Sequence, residues 1–200
     1  MAIQRVAGWR DAVAGSGGGV LWLTGLPGAG KSTLADALAD VLNRDATRAV
    51  VLDGDRLRAT LSRDLGFSDR DRRENVRRTA EMATMIAETG LLAIVALISP
   101  TAAMRGLARE IAGGYFREVY VKASGEVCEA RDPKGLYKRA RRGELPDFTG
   151  VSAPYETPSS AQLMVDTEHH TIEQCVDRLT RYAAQQFGAR EAVPALRRRA

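Results

Sequence analysis

The sequence predicts an α/β fold: one parallel β-sheet with helices packed on both of its faces. Three observations carry that expectation. Short apolar runs of strand length recur along the 200 residues, as in "VLWL" and "LLAIV", and a strand that is apolar at every position is one buried on both faces. Longer segments with apolar residues at helical spacing stand between them, and strands that alternate with helices are connected in parallel. The first apolar run also leads straight into a glycine-rich turn, "GLPGAGKST" (25–33), and from there into a helix.

Taken in order, residues 1–14 place Ile3, Val6 and Val13 where a short amphipathic helix would need them, and Gly15–Gly19 reads as a flexible linker. "VLWLTGL" (20–26) is the first strand. The helix that follows from Ser32 carries Leu34, Leu38, Val41 and Leu42 in one stripe. "RAVVLDGD" (48–55) is a second strand ending in acids. Residues 68–90 form a long helix, begun by Ser68 as N-cap and stopped by Gly90. A third strand, "LLAIVALISP" (91–100), is halted by Pro100; a helix over 101–112, a fourth strand (116–123) and a short helix around Val127 follow. Residues 131–158 are rich in Lys, Arg, Gly and Pro. A weak strand near "QLMVDT" and a helix over 171–185 complete a main domain spanning 20–185, and 186–200 read as a basic tail with little core-forming pattern.

Composition narrows the function. With 44% apolar and 27% charged residues this is an ordinary globular chain. A formal charge of +4 raises the question of nucleic acid. The arginines of "SDRDRRENVRR", however, alternate with acids, and no aromatic residues interleave with them as a stacking platform would require, so no nucleic-acid partner is expected. Cys128 and Cys175 are too few for a disulfide framework and read as free thiols of a reducing cytoplasm. Neither a signal peptide nor 18 consecutive apolar residues occur, so the expectation is a cytoplasmic protein without a membrane partner.

The glycine-rich turn fits G-x-x-x-x-G-K-[ST] through Gly25, Gly30, Lys31 and Ser32, with a strand before it and a helix after it. In such a P-loop the backbone N–H groups of Gly28, Ala29, Gly30, Lys31 and Ser32, followed by Thr33, form an anion-binding concavity at a helix N-terminus. Lys31 neutralises the β- and γ-phosphates, and the Ser32 hydroxyl is a ligand for Mg2+. ATP or GTP binding follows, but not the reaction. No N-K-x-D that would specify guanine is present and the chain is short for a motor, so a kinase is favoured.

Asp53 and Asp55 lie just past the second strand, at the sheet edge where ligands bind. One of the two carboxylates can support the metal while the other accepts a hydroxyl proton; a plain D-G turn accounts for the spacing too. "RDLGFSDRDRRENVRR" carries Arg63, Phe67, Arg72, Asn75, Arg77 and Arg78. It reads either as a solvated helix face paired through Asp71 and Glu74 or as a wall for an anionic, aromatic acceptor, and composition alone favours the first. The stretch from Arg131, with Lys134, Lys138 and Arg141, is either an exposed basic loop or a lid that excludes water from phosphoryl transfer.

Together "GLPGAGKST", "LDGDRLR", "RDLGFSDRDRRENVRR", "ISP", "EVCEARDPKGLYKRAR" and "FTGVSAPYE" resemble, in order, the adenylylsulfate kinases, from about Val20 to Glu156. The resemblance implies a P-loop NTPase-type fold with a mobile lid over about 131–158, and phosphorylation by Mg-ATP of the ribose 3′-hydroxyl of adenosine 5′-phosphosulfate (APS). It implies that Asp55 stands near that hydroxyl. Arg58, Arg72 and Asn75 would hold the phosphosulfate and ribose, and Phe67 and Phe148 would sandwich the adenine. Ile98 and Ser99 would contact substrate, with Lys134, Gly135 and Leu136 reaching it from the lid. Catalytic roles fall to Lys31, Asp55, Ser99 and Lys134. A homodimer is expected, with a separate ATP sulfurylase supplying APS. The chain departs from the family pattern at Pro27, where Ser is common, and at Thr101-Ala102, where many members have Tyr-Arg, although Arg105 and Arg109 keep the later arginine spacing. The rivals are a related kinase acting on another nucleoside, sugar or antibiotic hydroxyl, and a non-catalytic binding module, which would be expected to have lost Lys31 or Asp55.

Overall fold

The computed structural model describes residues 17–44 and 47–188. Five strands, β1 (Gly19–Thr24), β2 (Ala49–Asp53), β3 (Leu92–Ala96), β4 (Phe116–Lys122) and β5 (Leu163–Asp166), form one sheet in the order β2-β3-β1-β4-β5. Every neighbouring pair is parallel. The helices are α1 (Lys31–Arg44), α2 (Gly54–Ala59), α3 (Asp69–Glu88), α4 (Ala102–Ala112), α5 (Gly125–Arg131), α6 (Leu136–Arg141) and α7 (Ile172–Phe187).

The central strand shows why the sheet has two cores. Side chains alternate across a strand, and every residue of β1 is buried. Val20 and Trp22 join Val76, Ala80 and Ala83 of α3 and Met104 and Ala108 of α4 on one face. Leu21 and Leu23 join Leu34, Leu38 and Leu42 of α1 and Leu179 and Ala183 of α7 on the other. An uninterrupted apolar run is what a strand between two helical layers requires.

Differences from the sequence expectation have local causes. Gly19 belongs to β1 and not to a linker: a Cβ there would stand 2.1 Å from the ring of Phe187, so glycine serves close packing. β2 stops at Asp53 and turns directly into an unexpected helix, α2, because the Asp53 carboxylate accepts the N–H groups of Asp55 (2.9 Å) and Arg56 (3.3 Å). β3 ends at Ala96, before Pro100 is reached. The polar 131–158 stretch contains α6, and α7 runs on to Phe187, opened by a capping box between Thr171 and Gln174. Ser68 caps α3 as expected, accepting from Asp71 N. The helix expected over 1–14 and the basic tail from residue 189 lie outside the described residues. Because all five strands run the same way, the turns leaving β1, β2, β3 and β4 open on one edge, where the site is found.

Candidate active site

A cavity of about 650 Å3 opens at that edge, with the glycine turn at one end and residues of α2, α3 and the turn after β3 at the other. The glycine turn has two kinds of glycine. Gly25 and Gly28 are required by space: a Cβ would meet Val121 O at 2.4 Å or Cys128 O at 2.8 Å. Gly28 and Gly30 are also required by conformation, with φ of 79° and 94°. Lys31 is buried across the loop, and its Nζ donates to the carbonyls of Gly25 (2.9 Å) and Leu26 (2.8 Å). Burial pushes this ammonium down to about 8, because the charged form loses water.

Ser32 Oγ donates to Asp53 Oδ2 at 2.5 Å, while Asp53 Oδ1 caps α2. One carboxylate therefore fixes both the hydroxyl of the loop and the start of the helix that carries Asp55. Asp55, exposed in the first turn of α2, ion-pairs with Lys134 from the loop between α5 and α6. The pair bridges the mouth of the cavity.

At the other end stands Phe67, 61% exposed, with the Arg58 guanidinium 4.4 Å and that of Arg72 5.8 Å from its ring centre. Each arginine is anchored by backbone: Arg58 donates to Gly66 O (2.7 Å), and Arg72 to Phe67 O (2.7 Å) and Asp147 O (2.7 Å). Burial lowers the affinity of both for their protons, and for Arg58 the charge of Arg72 adds to the effect. An anion between them would reverse that tendency. Asn75, 1% exposed, lines the same cavity, and among the described residues neither its Oδ1 nor its Nδ2 finds a hydrogen-bond partner. A buried amide left in this state costs stability unless a ligand satisfies it.

Ile98 and Ser99 also line the cavity. Ser99 has φ of 39°, and its buried hydroxyl accepts from Trp22 Nε1 (2.9 Å) and donates to Leu97 O (3.2 Å). In the basic segment, Tyr137 N and Lys138 N donate to the Asp132 carboxylate (3.1 and 3.0 Å), and Tyr137 OH donates to Pro27 O (3.0 Å), pinning α6 to the glycine turn. That contact uses only a carbonyl of residue 27, so proline is accommodated there.

Not every expected residue is gathered. Phe148 stands outside the cavity lining: its ring packs edge-on against Tyr137 with centres 5.1 Å apart, so in this structure it does not face Phe67 as the second half of a sandwich. Gly135 caps α6 in a left-handed conformation and also stands outside the lining, whereas its neighbours Lys134 and Leu136 are part of it. Arg77 and Arg78 pair with Glu74, and Arg78 also with Asp64, so these two belong to the solvated helix face. Arg141 is turned onto Glu129. Arg105 and Arg109 converge on Glu118, and Thr101 caps α4, accepting from Met104 N.

Sequence reasoning missed Thr167, His170, Ile172 and Cys175, which line the cavity from the β5–α7 end, with Arg131 donating to Thr167 Oγ1 (3.1 Å) and O (2.5 Å). They carry no local motif; only the fold brings them to the phosphate loop. Among the described residues no helix is long and apolar enough to cross a membrane.

A phosphate-cradling turn, an acid on the neighbouring helix and a cationic, aromatic wall facing both across one cavity define a P-loop kinase of small molecules. Comparison with known proteins fixes the family. Residues 17–166 match the model of the family described as adenylylsulphate kinase. An adenylyl-sulfate kinase of Shewanella amazonensis is 51% identical over 174 residues, 86% of this chain and 88% of its own length. One from Paraburkholderia xenovorans is 52% identical over 162 residues, 81% of this chain and 90% of its own. Among solved structures, the Mycobacterium tuberculosis APS kinase CysC in complex with AMPPNP and APS superposes with a TM-score of 0.78 at 44% identity, covering 81% of this chain and 95% of that one. A gluconokinase from Sinorhizobium meliloti, TM-score 0.59 at 17% identity over 86% of this chain and 95% of its own, shares the fold alone. The chain belongs to the adenylylsulphate kinase family, and it is an enzyme of the phosphotransferase class.

Proposed function

We propose that the chain transfers the γ-phosphoryl group of ATP to the ribose 3′-hydroxyl of APS, giving 3′-phosphoadenosine 5′-phosphosulfate and ADP. The observation that carries this reading is the acceptor wall: an exposed phenylalanine face flanked by two backbone-anchored guanidiniums, with a buried amide beside them that finds no partner among the described residues. An aromatic base stacks on such a face and a phosphosulfate pairs with such cations. A sugar acid would leave the ring uncovered.

In this reading the backbone of residues 28–32 and Lys31 bind the β- and γ-phosphates; Lys31 leaves the carbonyls of Gly25 and Leu26 for phosphate oxygens. Ser32 Oγ and Asp53 Oδ2 are two hard oxygens side by side, a donor set that fits Mg2+. Among the described residues no cluster of three or more His, Cys, Asp or Glu stands ready to cage a metal, which agrees with an ion held mainly by phosphates and water. When bound, the ion neutralises charge on the transferring group. Asp55 accepts the proton of the 3′-hydroxyl and orients its oxygen; Lys134, released from Asp55, meets the phosphoryl oxygens. Arg58, Arg72 and Asn75 hold the phosphosulfate and ribose, Phe67 the adenine, and Ile98 and Ser99 form the floor. Phe148 completes the adenine site if the segment around it moves inward on closure of a lid over about 131–158.

The same reading makes residues 20–185 the kinase domain, working as a homodimer in the cytoplasm on APS supplied by a separate ATP sulfurylase. The apolar Met85, 68% exposed on α3, offers surface for such a dimer. The test is ADP release from Mg-ATP with APS, adenosine, AMP and gluconate as separate acceptors. APS alone should support rapid turnover; equal or faster turnover with gluconate or adenosine would move the acceptor to another hydroxyl.

A further inference from the structure

The turn Ile98-Ser99-Pro100 forms a wall of the cavity, and its backbone is held mainly from outside the turn. Ser99 carries a side chain at φ of 39°, a left-handed conformation that such residues adopt at a cost. All three carbonyls of the turn are bound by groups outside it. Thr24 Oγ1 donates to Ile98 O at 2.6 Å, Arg105 Nη1 to Ser99 O at 3.0 Å and Glu156 N to Pro100 O at 2.8 Å. The Ser99 hydroxyl accepts from the indole of Trp22.

Among these clamps Arg105 is distinctive. It is 4% exposed, on α4, and it lines no part of the cavity. Its Nε lies 2.9 Å from Glu118 Oε1, on the neighbouring strand β4, and Arg109 Nη2 holds the other oxygen of that carboxylate at 2.5 Å. A buried ion pair is a weak device for stability alone, since desolvation offsets much of its attraction. It is a good device for fixing one guanidinium in one place. The guanidinium so placed presents a charged donor to the carbonyl of Ser99, the residue in the unusual conformation.

We propose that Arg105 and Glu118 are positioning residues for the acceptor subsite: the pair locks the Ile98–Ser99 backbone against the bound acceptor without touching it. The proposal rests on the assignment of this end of the cavity to APS. It separates the two substrates, because the turn lies at the acceptor end and not in the phosphate loop.

The test compares Arg105→Met, Arg105→Lys and Glu118→Gln with the wild type, measuring KM for APS, KM for ATP, kcat and thermal stability. In Arg105→Met the carboxylate of Glu118 keeps Arg109 as a partner, so no charge is orphaned. The expected result is a rise in KM for APS of at least about tenfold, equivalent to about 1.4 kcal/mol, with KM for ATP within about twofold of wild type. Arg105→Lys should recover part of the loss, and Glu118→Gln, close to isosteric, should show the same split on a smaller scale. A parallel rise in both Michaelis constants, or no change in either, would overturn the proposal. If Arg105→Met does not fold, the split in Glu118→Gln decides, and its absence there overturns the proposal equally. Failure of the wild type to use APS would instead refute the acceptor assignment, so the two failures are told apart.

Discussion

The two ends of the cavity are built by opposite means. At the phosphate end, nine consecutive residues supply nearly everything: glycines that allow the curve, backbone N–H groups, one lysine and one hydroxyl. At the proposed acceptor end, Arg58, Phe67, Arg72, Asn75 and Ile98–Ser99 come from α2, the α2–α3 loop, α3 and the turn after β3, and are braced by residues farther away still. A backbone site tolerates side-chain change, as Pro27 shows, but depends on the conformations only glycine allows. A side-chain site can be retuned for another acceptor while the fold and the nucleotide stay the same.

The sharpest way to break the phosphate end is Lys31→Ala. It removes the one buried cation of the loop and should lower turnover by at least about 10³-fold, with circular dichroism unchanged. Near-normal ADP release from the folded variant would remove the P-loop assignment.

Between the two ends sits Asp55. Asp55→Asn keeps shape but loses basicity and its pairing with Lys134, and turnover should fall at least about a hundredfold with ATP affinity nearly unchanged. Asp53→Asn keeps an N-cap for α2, since Asn caps as well as Asp. It should raise the Mg2+ requirement, and excess metal should restore part of the rate. A Mg2+ titration at saturating substrates checks both; rescue of Asp55→Asn by metal would exchange the roles.

A smaller effect belongs to the acceptor end. Phe67→Ala should raise KM for APS by about 5- to 150-fold, the range of one stacked base at about 1–3 kcal/mol, and leave KM for ATP unaffected. Equal changes would mean that the exposed ring serves packing alone.

The smallest effect is on protons. With Lys31 held down at about 8 by burial, the free enzyme is partly neutral there above that pH. Phosphate favours the charged ammonium, so nucleotide binding near pH 8.5 should take up a fraction of one proton. Calorimetry in buffers of differing ionisation enthalpy reads it, and Lys31→Ala should abolish it. The sign for stability is opposite to that of a paired lysine. A folded-state value below the unfolded one penalises the folded state below about 8, and that penalty is relieved as pH rises toward the ordinary lysine range.

The same contrast accounts for what could be read from the chain. The phosphate loop, the strand–helix alternation and the Ser68 cap are local, and periodicity or spacing reveals them. The solvated-face reading of "SDRDRRENVRR" holds for Arg77 and Arg78 but not for Arg72 and Asn75, two turns of the same helix facing different ways. Composition cannot separate these; only the side of α3 that meets the cavity does. That Asp53 caps and so creates α2 was not legible in the D-G-D spacing, because it depends on how the chain turns after β2. Thr167 and Cys175 line the cavity from the β5–α7 end through sheet order alone, and the Arg105–Glu118 pair joins a helix to a neighbouring strand with no signature in either.

The central claim is that the cationic, aromatic end of the cavity presents the 3′-hydroxyl of APS to the phosphate loop. Phosphorus NMR and mass spectrometry of the product formed from Mg-ATP and APS test it most directly. One new phosphate monoester is expected, on the ribose 3′-oxygen, formed in equal amount with ADP. ADP released without a phosphorylated nucleoside, or a product esterified at the 2′-oxygen, would contradict it.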